Sequence, residues 1–232
     1  MYSMSDNPMP KLYAEAVATF ALTFVGAGAI WVGGGADADL LTVAVAHGII
    51  LSVMVTATMN ISGAHINPAI TIGFMATKRI DSKLGAQYIA AQLAGALLAG
   101  GILYSIGGGG FGTPAPGTFP GENGALVNTQ QAIMIEAILT FLLMTVIMGT
   151  AVDNRAPAGI AGFGIGLVVM ADILMGGPLT GAAMNPARWF GVWVFGDMAN
   201  NIDLIIYTVG PIMGALLGVL LWDKMTPDDS SE

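Results

Sequence analysis

The chain contains no cysteine and only two histidines, His47 and His65, in 232 residues. Disulfides and thiolate metal centres are excluded, and two histidines 18 positions apart do not make a dedicated metal site. Charge is scarce as well. Lys and Arg number seven and Asp and Glu fifteen, together 9% of the chain, where a soluble globular domain carries about 25%. The small basic complement and the net charge of −8 count against a nucleic-acid partner. No nucleophile–base or metal constellation is present, which argues against an enzyme.

What remains is apolar: 55% of residues are hydrophobic and the mean hydropathy is +0.74. Apolar runs near 12–33, 40–59, 84–106, 130–151, 157–176 and 203–222 each approach the ~20 residues a helix needs to cross a lipid bilayer. Six spans make a multi-pass membrane protein. The first run follows Lys11 and superficially resembles a secretory signal, but it is longer than the roughly 7–15 residues of a signal core, and Glu15 interrupts its start. It reads as an uncleaved first span. With a cytoplasmic N-terminus, Lys11, Lys78, Arg79, Lys83, Arg155 and Lys224 all fall on one side, leaving only Arg188 elsewhere. The positive-inside rule then predicts a cell-membrane protein with both termini cytoplasmic.

The two halves of the sequence repeat. "EAVATF" from Glu15 returns as "EAILTF" from Glu136, "GAHINPAI" (63–70) as "GAAMNPAR" (181–188), "GALLAG" (95–100) as "GALLGV" (214–219), and Tyr88 as Tyr207. Each half holds three spans, an odd number, so the second copy is inverted relative to the first. Inverted repeats are a transporter architecture with the pathway at the repeat interface. The repeats are expected over about 10–106 and 130–222, within a single domain covering 1–232, with a connecting loop 107–129 and a short tail 223–232.

Within the repeat, Asn67-Pro68-Ala69 and Asn185-Pro186-Ala187 carry the chemistry. Asparagine is a good N-cap, and proline suits the first helical turn. The stretches that follow, 67–76 and 185–195, are too short to span, so each reads as a re-entrant half-helix. Irregular backbone at membrane depth survives only when buried in protein or lining a water-filled cavity. Inverted symmetry brings the two helix N-termini, each equivalent to roughly +0.5 charge, to one spot near the midplane. Such a site repels cations and protons, while the two asparagine amides offer donors to small neutral molecules. Simple capping of two buried helices would explain one Asn-Pro-Ala; it is a poor account of two at matching places. Arg188, a full charge at membrane depth, is a functional candidate by default.

The six spans, the duplicated Asn-Pro-Ala, the paired Glu15 and Glu136, and "MNPARWFG" together resemble the aquaporin (major intrinsic protein) family over roughly residues 10–222. The resemblance implies an all-α fold, a right-handed bundle of six transmembrane helices with two re-entrant half-helices. It also implies one pore per subunit, a homotetramer and no cofactor. Glu15 and Glu136 would brace the loops entering the half-helices. The family's selectivity positions fall on His47, Ile173, Ala182 and Arg188, which is similar to the filter of plant tonoplast intrinsic proteins and the mammalian aquaammoniaporin branch. That branch implies passage of ammonia, hydrogen peroxide and sometimes urea besides water. Trp189 stands where glycerol channels have Asp, which argues against a dedicated glycerol facilitator.

Other residues carry less specific expectations. His65 is expected to bond within its loop, Asp172 to face loop backbone or orient Arg188, and Trp189 with Trp193 to anchor at the membrane interface. The Gly/Pro-rich 107–124 reads as a connector, with a lid at the pore mouth as the alternative. A strictly water-selective pore, a coupled secondary transporter and a closed structural membrane protein are the competing functions. With no thiol in the chain, mercurials are expected to leave any water flux unchanged. Stopped-flow light scattering on reconstituted vesicles checks this, and inhibition by mercury would mean that the flux belongs to another protein.

Overall fold

A computed structural model describes residues 7–107, 127–196 and 201–226, and all regular structure among them is helical. Six helices are long and apolar enough to cross a membrane: α1 (Met9–Val32), α2 (Leu40–Ser62), α4 (Ser82–Gly107), α5 (Thr129–Ile147), α6 (Ile160–Thr180) and α8 (Asn201–Met225). Two short helices, α3 (Pro68–Ala76) and α7 (Pro186–Trp193), follow the Asn-Pro-Ala motifs. The expectation for 107–124 falls almost wholly outside the described residues.

The ends of the elements follow local chemistry. Asp39 caps α2, its carboxylate accepting from Thr42 N at 2.8 Å and from the Thr42 hydroxyl at 2.7 Å. Asn128 and Gln131 form a reciprocal capping box at the start of α5. Helices α2 and α6 both stop at a glycine in the left-handed region, Gly63 at φ +88° and Gly181 at φ +78°, a conformation nearly free of strain only for glycine. This corrects the fifth span. Its apolar run is expected near 157–176, yet α6 begins at Ile160, passes through Pro178 and ends at Thr180, where Gly181 N bonds Gly177 O at 2.8 Å. At the other end of the fold, α5 continues into one wider turn, a π-helix over Met148–Val152. Just beyond, the Arg155 guanidinium beside Asp153 holds that carboxyl down to about 2.

The helices pack as an inverted repeat. In the first half α1 packs on α2 and α4; in the second α5 packs on α6 and α8, and α2 meets α6 across the halves. Each half-helix rests mainly on the last span of the opposite half, α3 on α8 and α7 on α4. Two of the close crossings are symmetric as well. A Cβ on Gly95 would run into the carbonyl of Ala16, and a Cβ on Gly214 into the carbonyl of Ala137. Small residues let helix backbones meet in this way inside a bilayer. Large apolar side chains such as Val17, Ile49, Ile138, Leu167 and Leu217 are exposed on the outer faces, as a lipid-facing surface requires. Replacing Gly95 or Gly214 by Val forces the crossing apart. Overpacking of this kind costs about 1–3 kcal/mol and often more, so each variant is expected to show a lower thermal midpoint in detergent. A midpoint equal to that of the parent chain would contradict the close approach.

Candidate functional site

The loops that enter the half-helices share one unusual backbone. Gly63, Ala64 and Ile66 have φ of +88°, +52° and +57°, and Gly181, Ala182 and Met184 have +78°, +46° and +51°. Left-handed φ strains any residue with a Cβ, most of all a β-branched one such as Ile66. Two buried carboxylates hold these conformations. Glu15 accepts from the backbone N–H of His65 (2.9 Å) and Ile66 (2.7 Å), from the Ser62 hydroxyl (2.6 Å) and from Gln92 Nε2 (2.8 Å). Glu136 accepts from the backbone N–H of Ala183 (2.9 Å) and Met184 (2.7 Å) and from the Thr180 hydroxyl (2.6 Å). Tyr88 and Tyr207 donate to the carbonyls of Ser62 and Thr180, tying the same loops to α4 and α8.

The two motifs meet and lock each other. Asn67 Oδ1 caps its own helix by accepting from Ala69 N at 2.9 Å, and Asn185 Oδ1 accepts from Ala187 N at 3.0 Å and Arg188 N at 3.2 Å. Each amide nitrogen crosses to the other half: Asn67 Nδ2 donates to Met184 O at 2.7 Å, and Asn185 Nδ2 to Ile66 O at 2.9 Å. One N–H of each amide is therefore spent within the protein. The other remains for the lumen, fewer donors than the motif alone suggests. Pro68 and Pro186 occupy the first helical position in both copies.

A narrow cavity of about 40 Å³ runs past these groups. Since roughly 10–15 Å³ suffices for one water, it has room for a few water molecules. Asn67, Asn185, His47, His65 and Arg188 provide its polar side chains, and Leu22, Leu51, Val55, Phe74, Ile165 and Val169 are part of its apolar wall. The structure brings His47, Ile173, Ala182 and Arg188 together on this lining, all at most 4% exposed. His47 Nδ1 lies 2.8 Å from Val43 O, an acceptor, which assigns the proton to Nδ1. Nε2 then accepts from Arg188 Nε at 3.0 Å and Nη2 at 2.7 Å. Both ring nitrogens are thus committed, whereas the sequence alone leaves the imidazole free to bond a solute. The unspent donor is Arg188 Nη1, buried and without a partner among the described residues.

The His65 side chain bonds to the half-helix rather than within its loop, with Nδ1 3.1 Å from the Thr71 hydroxyl of α3 and its ring against Phe74 and Tyr88. Asp172 is buried away from the lining, and its Oδ2 has no hydrogen-bond partner among the described residues, so neither loop backbone nor Arg188 engages that oxygen. Trp189 is no interfacial anchor. It is 1% exposed and stacked between Trp193 (4.9 Å) and Tyr207 (5.3 Å). The repeat register explains the bulk. His65, Thr71 and Gln92, which bond one another through Thr71 in the first half, correspond to Ala183, Trp189 and Pro211 in the second. An indole fills the volume that three polar side chains occupy opposite. Gln92 has no repeated counterpart and was invisible in the sequence, whereas Ser62 and Thr180 stand at matching positions and were there to be found.

A family model described as Major intrinsic protein matches residues 3–222. Similar proteins include Aquaporin TIP4-4 of Zea mays, 41% identical over 91% of this chain and 84% of the relative. Aquaporin AqpM of Methanothermobacter thermautotrophicus is 37% identical over 94% of this chain and 98% of its own length. Aquaporin NIP1-1 of Oryza sativa subsp. japonica is 39% identical over 90% of this chain and 71% of its own. In fold, the chain is similar to an aquaglyceroporin from Plasmodium falciparum, with a TM-score of 0.75, 22% identity and coverage of 97% and 98% of the two chains.

Glu136→Ala strips the acceptor from two buried N–H groups and the Thr180 hydroxyl. Each orphaned group costs about 1–3 kcal/mol. The variant is expected to melt below Thr180→Ala, which removes one donor to Glu136 and leaves one N–H, that of Ala182, without its acceptor. Equal midpoints for the two variants would mean that other contacts hold the loop.

Proposed function

Given that the chain belongs to the major intrinsic protein family and is a passive membrane channel for water and small solutes rather than an enzyme, we propose that its pore also passes ammonia and hydrogen peroxide, extends to urea and glycerol, and excludes protons and ions. The observation that carries this reading is the bond between Arg188 and His47. The guanidinium is bound to His47, and Ile173 and the small Ala182 share the lining with it. A constriction with an apolar Ile173, a small Ala182 and a donor nitrogen, Arg188 Nη1, that has no partner among the described residues suits small polar neutral molecules.

The proton barrier is assigned to the crossed asparagines. The carbonyls of Ile66 and Met184 already accept from the amides, so toward the file Asn67 and Asn185 act as donors. A water that accepts from both has its lone pairs used and takes no proton from its neighbour. The two helix N-termini and the Arg188 charge add electrostatic repulsion of cations. Glu15 and Glu136 act as structural supports of the loops and take no part in transport.

The remaining assignments are of the same kind. The functional unit is one channel domain over 1–232, assembled as a homotetramer through the exposed apolar faces, in the cell membrane with both termini cytoplasmic. The ion pair between Arg79 and Asp223 at 2.6 Å, which joins the segment after α3 to the end of α8, supports placing their basic residues on one side. A strictly water-selective pore is the second reading, favoured by the narrow cavity. Purified protein in liposomes separates the two readings, with osmotic water flux and ammonia-driven internal alkalinisation each followed by stopped flow. Ammonia entry well above the lipid background is expected, with His47→Phe plus Ile173→His abolishing it and sparing water. If only water moves through the parent protein, the pore is an ordinary water channel.

A further inference from the structure

His47 is held from three directions, and two of them are already described: Val43 O on Nδ1 and Arg188 on Nε2. The third is an absence. Gly26, buried on α1, faces the imidazole so closely that a Cβ there would lie 2.5 Å from Cδ2, 2.8 Å from Cε1 and closer still to Nε2. The three nearest heavy atoms to such a Cβ all belong to this ring. An imidazole is rigid, so the collision is relieved by moving the whole ring or the α1 backbone that carries position 26. Two residues along the same helix the situation is ordinary. A Cβ on Gly28 would meet its nearest atom, Leu103 Cδ2, at 3.6 Å, a normal van der Waals contact. Glycine in a helix interior gives up stability relative to alanine, and at position 26 the geometry supplies a reason for it.

We propose that Gly26 is a positioning residue for selectivity: its bare backbone is the socket that seats His47 so that Nε2 holds Arg188 against the wall of the pore. A side chain at position 26 dislodges the ring, and Arg188, losing the acceptor for Nε and Nη2, swings into the file. The proposal rests on the reading of His47 and Arg188 as the constriction, and the test separates the two.

The chain has only two histidines, so ¹⁵N-histidine labelling gives four ring nitrogens and a readable spectrum in lipid. In the parent protein the unprotonated Nε2 of His47, assigned by its loss in His47→Ala, should resonate upfield of a free pyridine-type nitrogen because it accepts hydrogen bonds. Gly26→Ala is expected to move it downfield and to lower the ammonia-to-water flux ratio several-fold. Gly28→Ala should do neither. Adding Gly26→Ala to His47→Ala should change the ratio no further, since the collision partner is gone. An unmoved Nε2 resonance in Gly26→Ala overturns the proposal. A moved resonance with an unchanged flux ratio upholds the socket and overturns the constriction reading. Should Gly26→Ala fail to insert, recovery of folded protein in Gly26→Ala/His47→Ala upholds the collision, and failure of the double variant overturns it.

Discussion

Ten residues of non-helical backbone, 63–67 and 181–185, lie among the spans of a membrane protein, and their polar groups must find partners inside the protein. Within lipid an unpaired N–H or C=O costs several kcal/mol. The two buried carboxylates answer this need, each accepting from two consecutive backbone amides of a loop. From that follow the left-handed residues, the placement of both asparagines at helix N-termini and their crossed bonds to Met184 O and Ile66 O. The shape of the cavity is thus set by hydrogen bonds that lie behind its wall.

The two halves share this frame and differ in how they fill it. In the first half, Thr71 donates to Asn67 O and accepts from Gln92 Nε2, with His65 Nδ1 also at bonding distance. The second has Ala183, Trp189 and Pro211 at those positions, and aromatic stacking on Tyr207 replaces the polar network. The asymmetry extends to the lumen, where Ile70 in one copy corresponds to Arg188 in the other. Symmetric scaffolding with asymmetric filling gives one half of the pore its charge while both halves keep the same backbone.

The spans, the repeat and the half-helices were legible because they are written in long-period patterns: apolar runs of bilayer length and motifs recurring at a near-constant offset. The half-helix starts at Pro68 and Pro186 came from local capping chemistry, which the sequence states directly. What could not be read depends on which groups meet across the fold. The fifth apolar run ends near 176, but its helix continues through Pro178 to a glycine that takes a left-handed turn, Gly181. The engagement of His47 at both nitrogens, the burial of Trp189 and the contact of Gln92 with Glu15 each need the partner's position in space.

The crossed support of the half-helices also bears on how the chain comes to exist. Asn67 finds its acceptor on Met184, 117 residues later, and α3 rests on α8, which follows the second half-helix in the chain. A first half emerging alone from the ribosome carries a re-entrant loop without its acceptor and a short helix without its bed. It stays unfinished until its inverted twin has entered the bilayer. The smallest complete object of this design is therefore a pair of halves in opposite orientations, each supplying the acceptor and the bed that the other lacks.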